Sequence, residues 1–365
     1  MAMLRPDCRY FRGDKPCQFQ RLCARCPHFA AFGPQILIIK CRAQGDVLRT
    51  TCLIPALERQ YPNCALSWVV DPESVDLLPR RRLHRIWPFE LESCLALEAQ
   101  SFDLLLSLDK EPGPTALATR LQAKKKCGFG LNDKGNLIIF NQAADYAWRL
   151  GVDDDLKFRQ NKKTYQEIIH EIAEIPYERD EYVFNLEEKD QEKAKEFLAL
   201  HGVDPDRPKI GLNTGSGTKF ETKQWPKENF LKLINLLQDE LQANVFLLGG
   251  PRERYFNQAL ATASSRRLFN TGNDNSLLEF AGFISLLDLV ITSDTLGMHI
   301  AIALKKPVVA LFGPTSPQEI DLYGRGIKLW ANVACAPCYR QTCPDLKCMR
   351  AITPEMVLEA ARNLL

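Results

Sequence analysis

TSDTLGMHIAIALKKPVVALFGPT, residues 292–315, decides how this chain folds. The apolar run LLDLVI leads into it over residues 286–291 and reads as a buried parallel strand. Thr292, Ser293, Asp294 and Thr295 follow, all of types that cap helix N-termini. Residues 297–304 read as a helix and PVVALF, 307–312, as a second buried strand. Strand, polar turn, helix and strand make a βαβ unit. Its helix begins at the carboxyl end of a strand, where open α/β sheets bind ligands. Free N–H groups at a helix N-terminus attract anions. The residues from Asp294 to His299 are therefore candidates to hold a phosphate-bearing ligand. The plainer alternative is an ordinary βαβ unit with a well-capped helix.

The same alternation continues on both sides. ILIIK, 36–40, is a strand, and the loop CRAQGD, 41–46, leads into a helix predicted over 47–59. Gly45 permits a tight turn or the close approach of a ligand. Asp46 stands where a carboxylate caps a helix. It also faces whatever binds at the strand's end, where it would serve as a general base. Strands at 65–70, 85–89 and 102–109, a helix at 115–123 and a strand or turn at 127–130 complete one doubly wound domain. Residues 136–160 read as irregular with one short helix, and helices at 162–175 and 187–200 bridge to a second domain.

KIGLN, 209–213, opens that domain. The loop after it, TGSGTKFETKQWP, is rich in Gly, Ser and Thr, as loops that cradle phosphates are. It lacks the Walker spacing. Lys223 can reach a diphosphate from it, or is a lone surface lysine. Strands at 244–250 and 268–270 and a helix at 276–284 lead back to the opening segment. Neither half carries G-x-G-x-x-G with an acidic residue about 20 positions on, which disfavours a dinucleotide dehydrogenase. Two Rossmann-like domains facing a central cleft, with a diphosphate cradle in the second, is the α/β organisation of a GT-B glycosyltransferase.

At 365 residues the chain suits two domains. A net charge of +2 gives no reason to expect a nucleic-acid partner, although Arg80–Arg82 and Lys124–Lys126 are local basic clusters. No apolar run reaches the roughly 18 residues of a membrane span, and the N-terminus has no secretory h-region. The expected location is the cytoplasm. Thirteen cysteines there point to metal binding before disulfides. Residues 1–30 form an arm with six basic residues against two acidic, holding Cys8, Cys17, Cys23 and Cys26 with His28 close behind. So short a segment cannot bury a core. Four thiolates around zinc or an iron–sulfur cluster would staple it, or it packs on the body with reduced thiols. Cys335, Cys338, Cys343 and Cys348 form a second candidate cluster near the other end.

TSDTLGMHIAIALKKPVVALFGPTSP resembles the signature of glycosyltransferase family 9, the ADP-heptose:lipopolysaccharide heptosyltransferase family. ILIIKCRAQGDVLRTTCLIPALERQYP is similar to the family's N-terminal motif, TKQWPKENF to its K-x-W-P helix start, and LLGGPRE to its G-G-x-x-E turn. Leu296-Gly297 departs from the many members that have Gly and a neighbour there.

The resemblance implies inverting, metal-independent transfer of a heptose or related sugar from an ADP-sugar. The implied acceptor is lipopolysaccharide core or a related surface glycan at the inner face of the inner membrane, met peripherally. It makes Asp46 the catalytic base and Lys223 the lysine on the donor phosphates. It places Asp294, Thr295, Leu296, Gly297 and His299 around the diphosphate and sugar, Glu253 on the ribose, and Thr214, Ser216 and Thr218 on the phosphates. The expected domains are the arm, 1–30, an acceptor domain, 31–200, a donor domain, 201–345, and a C-terminal helix, 346–365. The competing expectation is a catalytically altered GT-B protein acting as a metal-bound interaction or nucleic-acid module. Against it stand the absence of an aromatic-interleaved basic stripe and the joint presence of Asp46, Lys223 and His299.

Overall fold

The computed structural model describes residues 4–217 and 220–365. Chain order gives β1 (Gln35–Ile39), β2 (Ala65–Val70), β3 (Arg85–Pro88), β4 (Ser101–Ser107), β5 (Gln122–Leu131) and β6 (Leu137–Ile139). They form one sheet ordered β3-β2-β1-β4-β5-β6, in which β5 and β6 run antiparallel. A second set, β7 (Lys209–Asn213), β8 (Asn244–Leu248), β9 (Phe269–Asn270), β10 (Leu289–Ser293), β11 (Val308–Phe312) and β12 (Gly326–Trp330), forms a sheet ordered β12-β11-β10-β7-β8-β9. The pairs within it are parallel. The central strands QILII, LVITS and VVALF are almost wholly buried, as strands covered on both faces must be.

Strand order reverses between β1 and β4 in the first sheet and between β7 and β10 in the second. Crevices open at such switch points, outside the carboxyl ends of the strands. The two sheets bring these ends together. Helix Gln44–Thr50, which follows β1, packs on helix Leu296–Ala303, which follows β10. Farther along the seam the Tyr165 N–H donates to Glu319 O over 3.0 Å, and Arg325 pairs with Glu181 through two 2.9 Å bonds.

The opening segment folds as expected: β10, helix Leu296–Ala303, β11. Elsewhere the structure corrects the sequence reading. The helix expected over 47–59 is two helices, Gln44–Thr50 and Leu53–Gln60. Pro55 has no N–H to return to Thr51 O, so one continuous helix is broken at that turn. The helix expected to run to residue 123 ends at Arg120, and β5 begins at Gln122. The region 136–160 contains β6, a helix at Asp145–Arg149 and one π-helical turn at Leu156–Gln160.

The domain limits shift as well. Helix Glu188–Leu200, assigned to the first domain, packs on helix Leu277–Ser285 of the second. A Cβ at Gly282 would lie 2.1 Å from Asp190 O, so only glycine allows the approach. The last helix, Pro354–Arg362, packs on helix Lys227–Glu240, β11 and β12, within the second domain. Trp225, fully buried, donates its indole N–H to Ile352 O over 3.0 Å and ties the last segment down.

Candidate active site

One wall of the cleft stands at the first switch point. Lys40, just past β1, is buried, and its ammonium lies 2.5 Å from Asp109 Oδ1, just past β4. It also donates to Arg42 O, and the second Asp109 oxygen accepts the Cys41 N–H. Burial works against the Lys40 charge, but Asp109 first, with Tyr165 and Asp46 behind it, holds the ammonium protonated. This pair fixes the loop that carries Asp46.

Asp46 is not a cap. Ala43 occupies the N-cap position, and Asp46 lies in the first turn of helix Gln44–Thr50. Its Oδ1 is 2.9 Å from Arg49 Nη2, one turn along the same helix, and its Oδ2 is 3.9 Å from Lys40 Nζ. Its side chain keeps 36% of its surface exposed to the cleft. Burial opposes its charge, yet Arg49, then Lys40 and His299, bring its carboxyl down to about 2. Arg49 is set by the Tyr165 ring, whose centroid is 3.6 Å from its guanidinium carbon. The Tyr165 and Thr50 hydroxyls are 2.7 Å apart, and Thr50 donates to Asp46 O over 2.6 Å.

The facing wall stands at the second switch point. Asn213, the last residue of β7, donates to Thr292 Oγ1 over 2.9 Å and to Thr295 Oγ1 over 2.8 Å. Thr295 is the N-cap of helix Leu296–Ala303, with its hydroxyl engaged by Asn213 and no side-chain cap bond. The first N–H groups of that helix thus remain available to an anion. A Cβ at Gly297 would lie 2.7 Å from Asn213 Nδ2, so the helix start meets β7 only through glycine.

Lys223 donates to Asp294 O over 2.8 Å and to Asp294 Oδ2 over 3.0 Å. Burial opposes the Asp294 charge, but Lys223 and then His299 hold its carboxyl below the usual range. Ser293 donates to Lys223 O over 2.9 Å, and Thr222 to Arg340 O over 2.6 Å. The turn that carries the lysine is therefore pinned on both sides.

His299 bridges the walls. Its Nε2 is 4.0 Å from Asp294 Oδ1, and its Nδ1 is 3.4 Å from the Tyr182 hydroxyl. A Cβ at Gly45 would lie 2.6 Å from its Cδ2. Burial first, then Arg49, pushes the imidazole down to about 4, against the pull of Asp294 and Asp46. It is neutral at physiological pH.

The structure thus gathers Asp46, Lys223, Asp294, Thr295, Gly297 and His299 around one cleft, with the half-buried Leu296 at the same helix start. Glu253 sits past β8, accepts the Gly250 N–H over 2.8 Å and lies against Gly215 of the loop after β7. Ser216 is half-buried in that loop. Thr214 is turned inward: its hydroxyl lies between Leu248 O and Asn257 Oδ1, so it holds strand ends together and is not directed at a phosphate. Thr218 lies outside the described residues.

Sequence reasoning missed Lys40, Arg49, Asp109, Tyr165 and Glu319. Arg49 had a signal, because it sits three residues after Asp46 on a helix. Glu319 had none: it reaches the cleft from the loop after β11, and burial raises its carboxyl against Arg49 and Lys157.

Of the cysteines near the end, Cys335 is exposed, Cys338 and Cys343 are half-buried and Cys348 is buried. The Cys348 sulfur lies beneath Gly313. Among the described residues no three His, Cys, Asp or Glu side chains stand close enough to share one metal ion. Nor, among them, is any helix long and apolar enough to cross a membrane.

The sequence matches the family described as Glycosyltransferase family 9 (heptosyltransferase) over residues 94–349. The chain belongs to glycosyltransferase family 9. This family 9 chain is 25% identical over 374 residues to lipooligosaccharide heptosyltransferase 2 of Haemophilus influenzae, an alignment that covers 90% of the chain and 99% of that protein. It is 30% identical to lipooligosaccharide heptosyltransferase 2 of Campylobacter jejuni over 162 residues, 43% of this chain and half of that one.

Among solved structures, the family 9 glycosyl transferase of Veillonella parvula superposes with a TM-score of 0.73, at 19% identity over 91% of this chain and 97% of its own. Escherichia coli heptosyltransferase WaaC with ADP-2-deoxy-2-fluoro heptose superposes with a TM-score of 0.59, at 20% identity over 91% of this chain and 100% of its own. The likeness bears out the GT-B arrangement of two parallel-sheet domains.

Proposed function

We propose that this family 9 chain is an inverting glycosyltransferase that moves a heptose, or a related sugar, from an ADP-sugar to lipopolysaccharide core or a related surface glycan. The observation that carries the reading is the placement of one partly exposed carboxylate, Asp46, across the cleft from Lys223 and the open N-terminus of helix Leu296–Ala303. The ADP-2-deoxy-2-fluoro heptose held by the WaaC structure supports the donor.

The acceptor hydroxyl attacks the anomeric carbon as the bond from that carbon to the diphosphate breaks, and the hydroxyl proton passes to Asp46. A carboxylate held near pH 2 is a weak base, so the proton moves late, when the new C–O bond has made the hydroxyl acidic. General-base catalysis of this kind typically contributes about 10²–10⁴-fold. The departing ADP gathers charge on its diphosphate, where Lys223 and the helix N–H groups stabilise it. These groups supply the positive charge without a metal cofactor. Asp294 is anionic and engaged with Lys223, so its place is beside the sugar hydroxyls, while Glu253 and Gly215 fit the ribose side.

The acceptor is presented at the inner face of a membrane that the protein meets peripherally. A groove of about 780 Å³ supports this, because Arg9, Arg12, Arg80, Arg81 and Arg85 line it and such a patch attracts anionic surfaces.

The deciding experiment compares the wild type with Asp46→Asn, using ADP-heptose and a heptose-deficient lipopolysaccharide acceptor. Turnover is expected to fall by about 10²-fold or more while ADP affinity, read by calorimetry, stays within a factor of about three. Turnover surviving in Asp46→Asn removes the base from this carboxylate. A wild type that binds nucleic acid and not ADP replaces the whole reading with that of an interaction module.

A further inference from the structure

We propose that Tyr339 is a positioning residue for the donor: its ring links the first domain to the turn that aims Lys223, so the lysine is held on its target from both sides of the cleft. The inference rests on Lys223 being the lysine on the donor phosphates. Three aromatic side chains form the link. Phe158 stacks on Tyr339 with ring centroids 5.1 Å apart and planes 10° from parallel. Tyr339 meets Phe220 edge to face at 6.1 Å. Stacked and edge-to-face contacts at such separations are the favoured geometries of aromatic pairs.

The three rings come from separate parts of the chain. Phe158 lies in the π-helical turn Leu156–Gln160. The Tyr146 hydroxyl donates to Asn161 Oδ1 over 2.8 Å and ties the end of that turn to the first domain, where Leu156 is buried. Turns of this kind are uncommon and frequent at functional sites. Phe220 stands three residues ahead of Lys223 in the loop after β7, and its carbonyl accepts the Lys223 N–H over 3.1 Å. Tyr339 arrives from the segment between β12 and helix Lys347–Arg350.

Tyr339 is itself closely fixed. Its N–H donates to Pro314 O over 2.9 Å, and its hydroxyl accepts the Ser316 N–H over 3.3 Å, both in the loop after β11. The next carbonyl, Arg340 O, accepts the Thr222 hydroxyl beside Lys223. The backbone at Tyr339 takes φ of 50°, a left-handed conformation that costs stability in a residue with a Cβ. Such conformations persist where the surroundings dictate them, and they collect at ligand clamps. Burial first, then Glu319, keeps the phenol protonated, so the ring presents a neutral aromatic face.

Each end of the link carries a cation. The Lys157 ammonium is 4.1 Å from the Tyr339 ring centroid, and the Lys223 ammonium is 5.3 Å from that of Phe220. An aromatic face attracts an ammonium at these distances. A lysine head on its flexible four-carbon stem has little direction of its own. Lys223 takes its direction from Phe220 on one side and Asp294 on the other. Removing the Tyr339 ring removes a support of Phe220 and the only aromatic tie among the described residues between Phe220 and Phe158.

The test measures ADP affinity by calorimetry, and steady-state transfer from ADP-heptose, in the full chain. Tyr339→Leu is expected to weaken ADP binding about tenfold and to lower kcat as well, because Lys223 stabilises the departing diphosphate. Tyr339→Phe keeps the ring and is expected to stay within about threefold of the wild type. On a Lys223→Ala background, where the group that Tyr339 acts through is gone, adding Tyr339→Leu is expected to change ADP affinity by less than about twofold. Should Tyr339→Leu not fold, as read by its urea midpoint, Phe158→Leu decides: from the first domain it must weaken ADP binding at least about threefold. Wild-type affinity and kcat in Tyr339→Leu, a Tyr339→Phe as impaired as Tyr339→Leu, a further loss of about tenfold on the Lys223→Ala background, or unchanged affinity in Phe158→Leu would each overturn this inference alone. A wild type that binds no ADP, or a Lys223→Ala that binds it as well as the wild type, overturns the reading of Lys223 and this inference with it.

Discussion

His299 is a neutral imidazole packed between two carboxylates, and its pH behaviour follows from that position. Its folded value near 4 lies below the usual 6.5. The unfolded chain therefore takes up the proton first as pH falls. This contribution to stability is complete above pH 6.5 and is lost between there and about pH 4. The full change is on the order of 3 kcal/mol. His299→Gln is expected to flatten the pH dependence of the urea midpoint between pH 6.5 and 4. An unaltered slope would show that the sensitivity lies elsewhere. Asp46, near 2, stays ionised throughout this range, so it should give turnover no acid limb above about pH 4. At this scale the sequence exposed Asp46, Lys223 and His299, because Asp46 and His299 lie early in helices that follow apolar strands and Lys223 lies in the polar loop after one. Lys40 and Asp109 also follow such strands, but their pairing depends on β1 and β4 being neighbours, and strand order is not written in local spacing.

The decisive element is the β1–loop–helix unit. Its loop can approach helix Leu296–Ala303 because residue 45 has no side chain. In Gly45→Ala the new methyl group meets the buried His299 ring at 2.6 Å, and neither side has room to give. A loss of about 1–3 kcal/mol in stability is expected, together with a fall in turnover at least as large as that of a conservative change in His299. Wild-type turnover and stability in this variant would mean that the two helices do not meet as described. The βα alternation was legible almost throughout, because buried strands of four to seven apolar residues are hard to mistake. Its breaks were less so. Pro55 interrupts a helix whose apolar spacing runs straight through it. The first half of β5 carries Lys124, Lys125 and Lys126, a charged run that conceals a strand until Cys127 goes under cover.

In the whole molecule, the charged helix Glu188–Leu200 crosses to the second domain and seats on Gly282. Gly282→Ala drives a methyl group into Asp190 O. An expected loss of about 1–3 kcal/mol, read by urea unfolding, should be accompanied by new protease sensitivity near residue 188. Intact protection there would return the helix to the first domain. Sequence could not show this partnership, because a helix rich in Lys and Glu shows only a narrow apolar face. The ordered motifs nevertheless carried the two-domain plan, since each motif sits at the end of a central strand.

The bond from Thr222 to Arg340 O and the anchoring of Trp225 beneath Ile352 bear on where this chain can be cut. The turn that presents Lys223 leans on chain that arrives more than a hundred residues later. A fragment meant to bind nucleotide by itself would have to start ahead of Glu188 and continue beyond Arg362. One trimmed at residue 345 would keep its lysine and the Arg340 carbonyl but lose Ile352, the anchor of Trp225 beside it.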